Sequence, residues 1–199
     1  MNGSILITNT ETDFGKNLAA VFMREGYTVF SPSDFEKITK LDFFAETSDF
    51  REPLADSFTV ASGVDGSLIE KSLRENAIKP MAMLEKFLPL IENGESKRIF
   101  YVSSADASVN ETRDTFGFAY KMSKAALHQF LQILRNELAP RGFTFRVFDP
   151  ISRKTCPQAA AESAFLYITR RRGTENYDPN RDDEDNLVLR DVEGRQHAW

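Results

Sequence analysis

The stretch SILITNTETDFGKNLAAVFMREGYTVF, residues 4–30, joins two short apolar runs through a polar loop and an amphipathic segment. The first run, Ser4–Thr8, predicts a buried parallel strand. Residues Gly15–Glu25 carry their apolar side chains along one face and predict a helix, which Gly26 ends. The second run, Tyr27–Phe30, predicts another strand. This strand–helix–strand order is typical of the start of a doubly wound, Rossmann-like α/β fold.

The rest of the chain continues the alternation of strands and helices. Apolar runs predict five further strands, at Leu41–Phe44, Phe58–Ala61, Ile99–Ser103, Gly142–Phe148 and Asn186–Val192. Helical spacing predicts helices at Ser67–Ile91 with a bend at Pro80, at Ala119–Leu138 and at Pro157–Arg172. We therefore expect a parallel sheet of about seven strands with helices on both faces.

Length and composition limit the function classes. The 199 residues, with 41% hydrophobic and 28% charged side chains, predict one globular domain spanning 1–199. A net charge of −5 argues against nucleic acid and anionic membranes as partners. Cys156 stands alone and the two histidines form no metal-binding cluster, so neither an internal disulfide nor a metal is expected. With no signal peptide or membrane-length apolar run, we expect a cytoplasmic protein.

Tyr120 and Lys124 stand four residues apart in the predicted helix Ala119–Leu138, so they share one face about a turn apart. A phenol ordinarily titrates near pH ~10, and a fixed ammonium nearby favours the phenolate and lowers its pKa. Such a tyrosine exchanges a proton with an alcohol or carbonyl oxygen. An ordinary helix with a half-buried tyrosine and a solvated lysine has the same spacing, so the spacing alone leaves both interpretations open.

Three short motifs occur in the same sequence. Tyr120-x-x-x-Lys124 is followed by Ala-Ala-Leu, the predicted strand after Arg98 ends in the pair Ser103-Ser104, and Asn76 precedes Pro80 in a long helix. In this order they resemble the signature of the short-chain dehydrogenase/reductase family, over roughly residues 3 to 155. The resemblance implies an oxidoreductase that interconverts a carbonyl and an alcohol with NAD or NADP.

The resemblance also implies a role for the residues of each motif. Tyr120 would donate or accept the proton, and Ser104 would bind the substrate oxygen. Lys124 would lower the tyrosine pKa and bind the nicotinamide ribose, and Asn76 would anchor a proton relay through water. Members of the family commonly form dimers or tetramers through the two long helices, so a homodimer or homotetramer acting on a small molecule is implied.

The loop after the first strand departs from the family's Thr-Gly-x-x-x-Gly-x-Gly pattern. Thr8, Phe14 and Gly15 fall within the implied cofactor loop, but Asn9 and Asp13 occupy two glycine positions. Asn9 can still make the turn because asparagine tolerates a left-handed backbone. Asp13 puts a carboxylate where the pyrophosphate would approach the helix N-terminus. Either dinucleotide binding is weakened, or Asp13 caps the helix of a fold that no longer needs the cofactor.

The remaining cofactor residues implied by the resemblance lie at other strand ends: Asp34, Gly63, Pro150 and Thr155. Asp34 is a candidate ligand of the ribose, and Lys37 a weak candidate for a 2′-phosphate, so the preference between NAD and NADP stays open. The family's Asn-Asn-Ala-Gly after the fourth strand is replaced by Ala61–Val64, which keeps only Gly63 for a close approach of the backbone to the ligand.

Two alternatives to a self-contained enzyme remain. The altered glycine loop, the missing Asn-Asn-Ala-Gly and a shortened C-terminal substrate region suit a non-catalytic scaffold or sensor that binds a nucleotide weakly or not at all. The same short region also suits an enzyme whose site is completed by a neighbouring subunit. The full set of Asn76, Ser104, Tyr120 and Lys124 favours the enzyme.

Overall fold

A computed structural model of the chain describes residues 2–51, 63, 65–151, 155–170 and 183–199. A seven-stranded sheet forms the centre, in the order β2-β1-β3-β4-β5-β6-β7. Its strands are β1 (Ser4–Ile7), β2 (Thr28–Phe30), β3 (Phe43–Glu46), β4 (Arg98–Val102), β5 (Thr144–Asp149), β6 (Leu189–Asp191) and β7 (Gln196–His197). The first six run parallel and β7 pairs antiparallel to β6. The predicted doubly wound parallel sheet is confirmed.

Helices cover both faces of the sheet. They are α1 (Asp13–Arg24), α2 (Gly66–Leu73), α3 (Lys79–Glu92), α4 (Phe118–Leu138) and α5 (Pro157–Thr169). Alternate side chains of the parallel strands point to opposite faces, so Ile5 and Ile7 pack under α1 and α5, while Leu6 packs under α3 and α4. Within the described ranges no helix is both long and apolar enough to cross a membrane.

The long helix predicted over Ser67–Ile91 is divided at its centre. A π-helical turn, Arg74–Ile78, joins α2 to α3, and Pro80 follows within the first turn of α3. Proline has no N–H to donate, so Pro80 interrupts the regular hydrogen-bond ladder of the helix, and π-turns occur mostly as single turns inside such helices. The turn carries Asn76 on its buried side, so the predicted bend also positions this side chain.

The strand predicted at Leu41–Phe44 starts two residues later, as β3 (Phe43–Glu46), and lies between β1 and β4. The strand predicted at Phe58–Ala61 lies outside the described residues. The sheet order puts a topological switch point between β1 and β3, and ligands of open α/β sheets bind outside the carboxyl ends of strands at such a point. The segment that leaves β3, Thr47–Arg51, therefore lies beside the candidate site.

Candidate active site

The first turns of α4 carry Tyr120 and Lys124, both buried. The Tyr120 hydroxyl donates to Asp49 Oδ1 at 2.9 Å, and Lys124 Nζ lies 2.9 Å from the same oxygen. Lys124 Nζ also donates to the Val102 carbonyl at the end of β4, at 3.3 Å. The predicted pair therefore converges on one point beyond the strand ends, and that point is occupied by a carboxylate oxygen.

Ser104 follows β4 and caps a short 3₁₀ turn, accepting from the Asp106 N–H at 3.1 Å. Arg51 Nη2 donates to Ser104 Oγ at 3.3 Å and to the Tyr120 hydroxyl at 2.9 Å. The Ser104 hydroxyl also donates a hydrogen bond to Asp149 Oδ2 at the end of β5, at 3.4 Å. Ser104 and Tyr120 thus share a second point of convergence, which the Arg51 guanidinium occupies.

Asn76 is fully buried and binds protein groups on both sides of its amide. Its Oδ1 accepts from the Phe50 N–H at 2.8 Å, while Nδ2 donates to the Phe50 carbonyl at 2.8 Å and to Ser123 Oγ at 2.9 Å. The resemblance gave this amide a water of a proton relay. Here the amide holds the backbone of the segment that carries Asp49 and Arg51.

The predicted lowering of the Tyr120 pKa is wrong for this geometry. Burial raises the pKa of the phenol well above its usual value, and the Asp49 carboxylate adds to that rise, against a smaller opposing effect of Arg51. The Arg51 guanidinium carbon stacks over the phenol ring, 4.0 Å from its centroid. Lys124 does not supply the expected stabilisation of a phenolate because its ammonium is paired with Asp49.

The ends of β1 and β3 are joined by side-chain hydrogen bonds. Thr8 Oγ1 donates to Glu46 Oε1 at 2.8 Å and accepts from the Thr47 N–H at 3.0 Å. Thr47 Oγ1 accepts from the Asn9 N–H at 3.1 Å and donates to the Asn9 carbonyl at 2.9 Å. Burial raises the pKa of the Glu46 carboxyl. The polar groups of Thr8 that the resemblance assigned to a cofactor are therefore engaged with the protein itself.

Two expectations for the loop before α1 are corrected. Asn9 has no left-handed backbone, since Lys97 is the one non-glycine residue of the described chain with positive φ. The Asn9 side chain instead accepts from the Glu11 N–H at 3.0 Å, in an Asx turn. Asp13 does not cap the helix. Thr12 is the N-cap, with its Oγ1 accepting from the Gly15 N–H at 3.1 Å, and Asp13 stands exposed in the first turn.

A cavity of about 350 Å³ lies between the start of α1 and the ends of β3, β4 and β5. Four of the predicted cofactor residues line it: Asp13, Phe14, Pro150 and Thr155. Asp49 forms part of the same wall, on the side of Tyr120 and Lys124. The cavity thus occupies the crevice where the fold class binds ligands, and two carboxylates, those of Asp13 and Asp49, are part of its lining.

Asp34 and Gly63 are not among the described residues that line this cavity. Asp34 lies just after β2, where it accepts from the Ser31 N–H at 3.1 Å and from Lys37 Nζ at 2.8 Å. The hydrogen bond from Lys37, followed by those from Ser31, lowers the pKa of the Asp34 carboxyl to about 2. Gly63 is exposed, with φ of +72°, and no atom lies within 4 Å of where a Cβ would stand.

Sequence reasoning missed Asp49 and Arg51, two charged side chains in direct contact with the predicted catalytic set. A signal for them exists. The apolar run that forms β3 is followed at once by Glu46 and a polar segment, which is the pattern of a strand whose carboxyl end faces a site. The pattern was missed because the predicted strand ended at Phe44, two residues before the end of β3 at Glu46.

His128 lies on α4 one turn beyond Lys124 and is buried. Its Nε2 is 2.5 Å from Ser103 Oγ, and its ring meets Trp199 edge-on with centroids 4.6 Å apart. Burial, reinforced by the nearby charge of Lys124, lowers the pKa of His128 to about 3. The imidazole is therefore neutral in the folded protein at physiological pH. Among the described residues no group of three or more metal-ligating side chains occurs.

We expect His128 to make the protein less stable in mild acid. In the unfolded chain the His128 imidazole takes up a proton below pH ~6.5, whereas its pKa in the folded protein is about 3. The contribution of neutral His128 to stability is therefore complete above pH ~6.5 and is lost as the pH falls. From pH 7 to pH 5 the free energy of unfolding should drop by about 2 kcal/mol more in the wild type than in His128→Asn. Urea unfolding followed by circular dichroism measures this difference.

His197 offers a control of opposite sign. Partial burial disfavours its charged form, but hydrogen bonds to Glu111 and Asp191 outweigh that effect and raise its pKa. Its contribution to stability is therefore complete below the unfolded pKa and is lost as pH rises through the folded one. A His128→Asn variant with the same pH dependence as the wild type would contradict the assignment.

The sequence is similar to three curated proteins over part of its length. It is 32% identical over 117 residues, 58% of this chain and 46% of the relative, to an uncharacterised oxidoreductase of Saccharomyces cerevisiae. It is 30% identical over 87 residues, 44% of this chain and 52% of the relative, to the C-signal protein of Myxococcus xanthus. The chain thus matches about half the length of these curated relatives. No family model matches the sequence.

Solved structures with the same fold cover nearly the whole chain. The carbonyl reductase Sniffer of D. melanogaster superposes with a TM-score of 0.77 at 16% identity, over 99% of both chains. A carbonyl reductase of Pseudomonas aeruginosa in complex with NADP superposes with a TM-score of 0.74 at 16% identity, over 99% of this chain and 100% of that one. These matches confirm the predicted Rossmann-like fold, and the sequence matches agree with the resemblance to short-chain dehydrogenases/reductases.

Proposed function

We propose that this chain is a divergent short-chain dehydrogenase/reductase that interconverts a small carbonyl compound and its alcohol with NAD or NADP. One observation carries the proposal: Tyr120, Lys124 and Ser104, from a helix and a strand end, aim their polar atoms at two adjacent points. A functional site of this class needs positions about 3 Å from both the proton donor and the group that binds the substrate oxygen. The names of the relatives and of the structural neighbours support the same class.

Each side chain has a task in such a reaction. In reduction, Tyr120 gives its hydroxyl proton to the carbonyl oxygen, and Ser104 hydrogen-bonds that oxygen as negative charge develops on it. After the Asp49 carboxylate has left its ammonium, Lys124 stabilises the phenolate that remains and holds a ribose hydroxyl. The low dielectric around these buried groups strengthens both interactions. The hydride in this chemistry belongs to a bound nicotinamide.

The lining of the crevice supports a dinucleotide only in part. The cavity beside Asp13, Phe14, Pro150 and Thr155 has the position expected for the phosphates and the nicotinamide. Against it stand two carboxylates in the same lining, the exposed one of Asp13 and that of Asp49. Once the Asp49 side chain leaves Lys124, the lining suits the sugar and phosphates of a nucleotide, with Lys124 and Thr155 as its ligands.

Calorimetric titration with NADH and NADPH tests the proposal. We expect one site per chain for at least one nucleotide, with an affinity in the micromolar range or weaker because of the two carboxylates. With that nucleotide in its reduced form, small aldehydes and ketones should cause the absorbance of the reduced nicotinamide to fall. If neither nucleotide binds at millimolar concentration, the proposed function is wrong.

A second candidate is a scaffold or sensor without catalysis. The observation that favours it is the occupation of both convergence points by the chain's own Asp49 and Arg51. Under this proposal the four polar side chains stabilise the Thr47–Arg51 segment and nothing else. Absence of nucleotide binding together with normal stability would favour this candidate over the enzyme.

Assembly into a homodimer or homotetramer remains part of the proposal. On the two long helices, Ile78 and Ile133 are more than half exposed, at 54% and 57%. Burying such side chains against a second copy would remove apolar surface from water. Light scattering with and without nucleotide tests this part separately.

A further inference from the structure

All four predicted catalytic side chains bind one tripeptide of the chain itself, Asp49-Phe50-Arg51. Asp49 accepts a hydrogen bond from Tyr120 and forms an ion pair with Lys124. The Phe50 backbone exchanges two hydrogen bonds with Asn76. Arg51 donates to Tyr120 and to Ser104. The tripeptide satisfies the functional atoms of the whole set, as a bound ligand would.

The two charged atoms of the tripeptide stand where reaction partners would have to stand. Asp49 Oδ1 is 2.9 Å from both the Tyr120 hydroxyl and Lys124 Nζ, which is the place for a hydroxyl held by the pair. Arg51 Nη2 is 2.9 Å from the Tyr120 hydroxyl and 3.3 Å from Ser104 Oγ, which is the place for an oxygen held by these two. Neither point can hold a second atom while the tripeptide is present.

We propose that Asp49-Phe50-Arg51 is an internal ligand that closes the active site, so that nucleotide and carbonyl substrate bind only after it has been displaced. This inference rests on the proposed oxidoreductase function. The internal ligand combines an anion for the lysine with a cation stacked on the tyrosine ring. A closed state held by these contacts lowers the apparent affinity for nucleotide by the fraction of molecules that are open.

The burial of the internal ligand fits a displaceable contact. The side chains of Asp49 and Arg51 are 20% and 38% exposed, so each can reach water without unfolding the core. Arg51 has a second partner outside the site, Asp106 Oδ2 at 3.2 Å. The Asn76 amide, by contrast, is fully buried. When Asp49-Phe50-Arg51 moves, this amide stays in place and binds either the backbone or a water.

A charge-balanced pair of variants tests the proposal. Asp49→Asn/Arg51→Gln removes one negative and one positive charge from the internal ligand. Glu36→Gln/Arg141→Gln removes the same charges from exposed positions outside the site. We expect the first variant to bind NADPH or NADH at least about tenfold tighter than the second, by calorimetry, because its open state is more populated. Equal affinities in the two variants would overturn the inference and leave the proposed function in place.

Hydrogen exchange separates this failure from failure of the proposed function. The Phe50 N–H is protected by its bond to Asn76, so its exchange, followed by NMR, should be at least about tenfold faster in Asp49→Asn/Arg51→Gln than in the control. If no variant binds nucleotide, the proposed function fails, and unchanged protection of Phe50 then overturns the internal ligand as well. Arg51→Gln alone should shift both readouts in the same direction if the double variant does not fold.

Discussion

Replacement of Tyr120 by phenylalanine is expected to lower the rate of nucleotide-dependent carbonyl reduction by about 10²- to 10⁴-fold, the usual contribution of a general acid. The substitution keeps the ring and removes the hydroxyl, which is the atom that meets Asp49 Oδ1 and Arg51 Nη2. Stopped-flow measurement of a single turnover, with nucleotide absorbance as the signal, gives the rate of the chemical step. Turnover within tenfold of the wild type would exclude Tyr120 as the proton donor.

The same variant separates chemistry from binding. Loss of the hydroxyl removes two hydrogen bonds that hold the internal ligand in place, so nucleotide affinity in Tyr120→Phe should stay equal or increase. A large loss of rate without a loss of affinity identifies a group that acts in the transition state. Tyr27→Phe is the matched control, because Tyr27 packs against Phe22 and Phe43 on the other side of the sheet, and it should keep turnover within about twofold.

Much of the fold and the catalytic set follows from local patterns in the sequence. The spacing of Tyr120 and Lys124 fixes their common helix face, and a strand end fixes Ser104 at the carboxyl edge of the sheet. Asn76 reaches the same site because the helix that carries it packs against α4. Periodicity and strand direction are properties of neighbouring residues, so they can be predicted without knowledge of the rest of the chain.

The contents of the site depend on contacts that no local pattern encodes. Whether Lys124 lowers the pKa of Tyr120 depends on a carboxylate more than seventy residues earlier, at Asp49. Because Asp49 is paired with the ammonium, burial is the main influence on the pKa of the Tyr120 phenol. The pKa is therefore raised, whereas the sequence predicted that it would be lowered. The position of Asp49 in turn depends on β3 lying beside β1, which the order of predicted strands alone does not determine.

The retained glycine of the loop gives the second large effect. Gly15→Ala should destabilise the protein by at least about 3 kcal/mol, because an added Cβ would lie 1.9 Å from the Asn9 carbonyl oxygen. That oxygen belongs to the backbone and accepts from Thr47, so it cannot move without disturbing the junction of β1 and β3. Helix propensity works in the opposite direction, since alanine is favoured over glycine by about 1 kcal/mol in a helix interior. Urea unfolding with Trp199 fluorescence measures the net change.

Gly66→Ala is the matched control, because Gly66 also lies in a helix and no atom stands within 4 Å of its added Cβ. It should change stability by less than about 1 kcal/mol. If Gly15→Ala proves equally mild, the contact with Asn9 is not rigid. If it is severe, the close approach of α1 to the loop after β1 is sufficient reason for Gly15 in this protein, with or without a nucleotide. The positions that distinguish an enzyme from a scaffold are then Asp13 and Asp49, whose carboxylates both line the crevice.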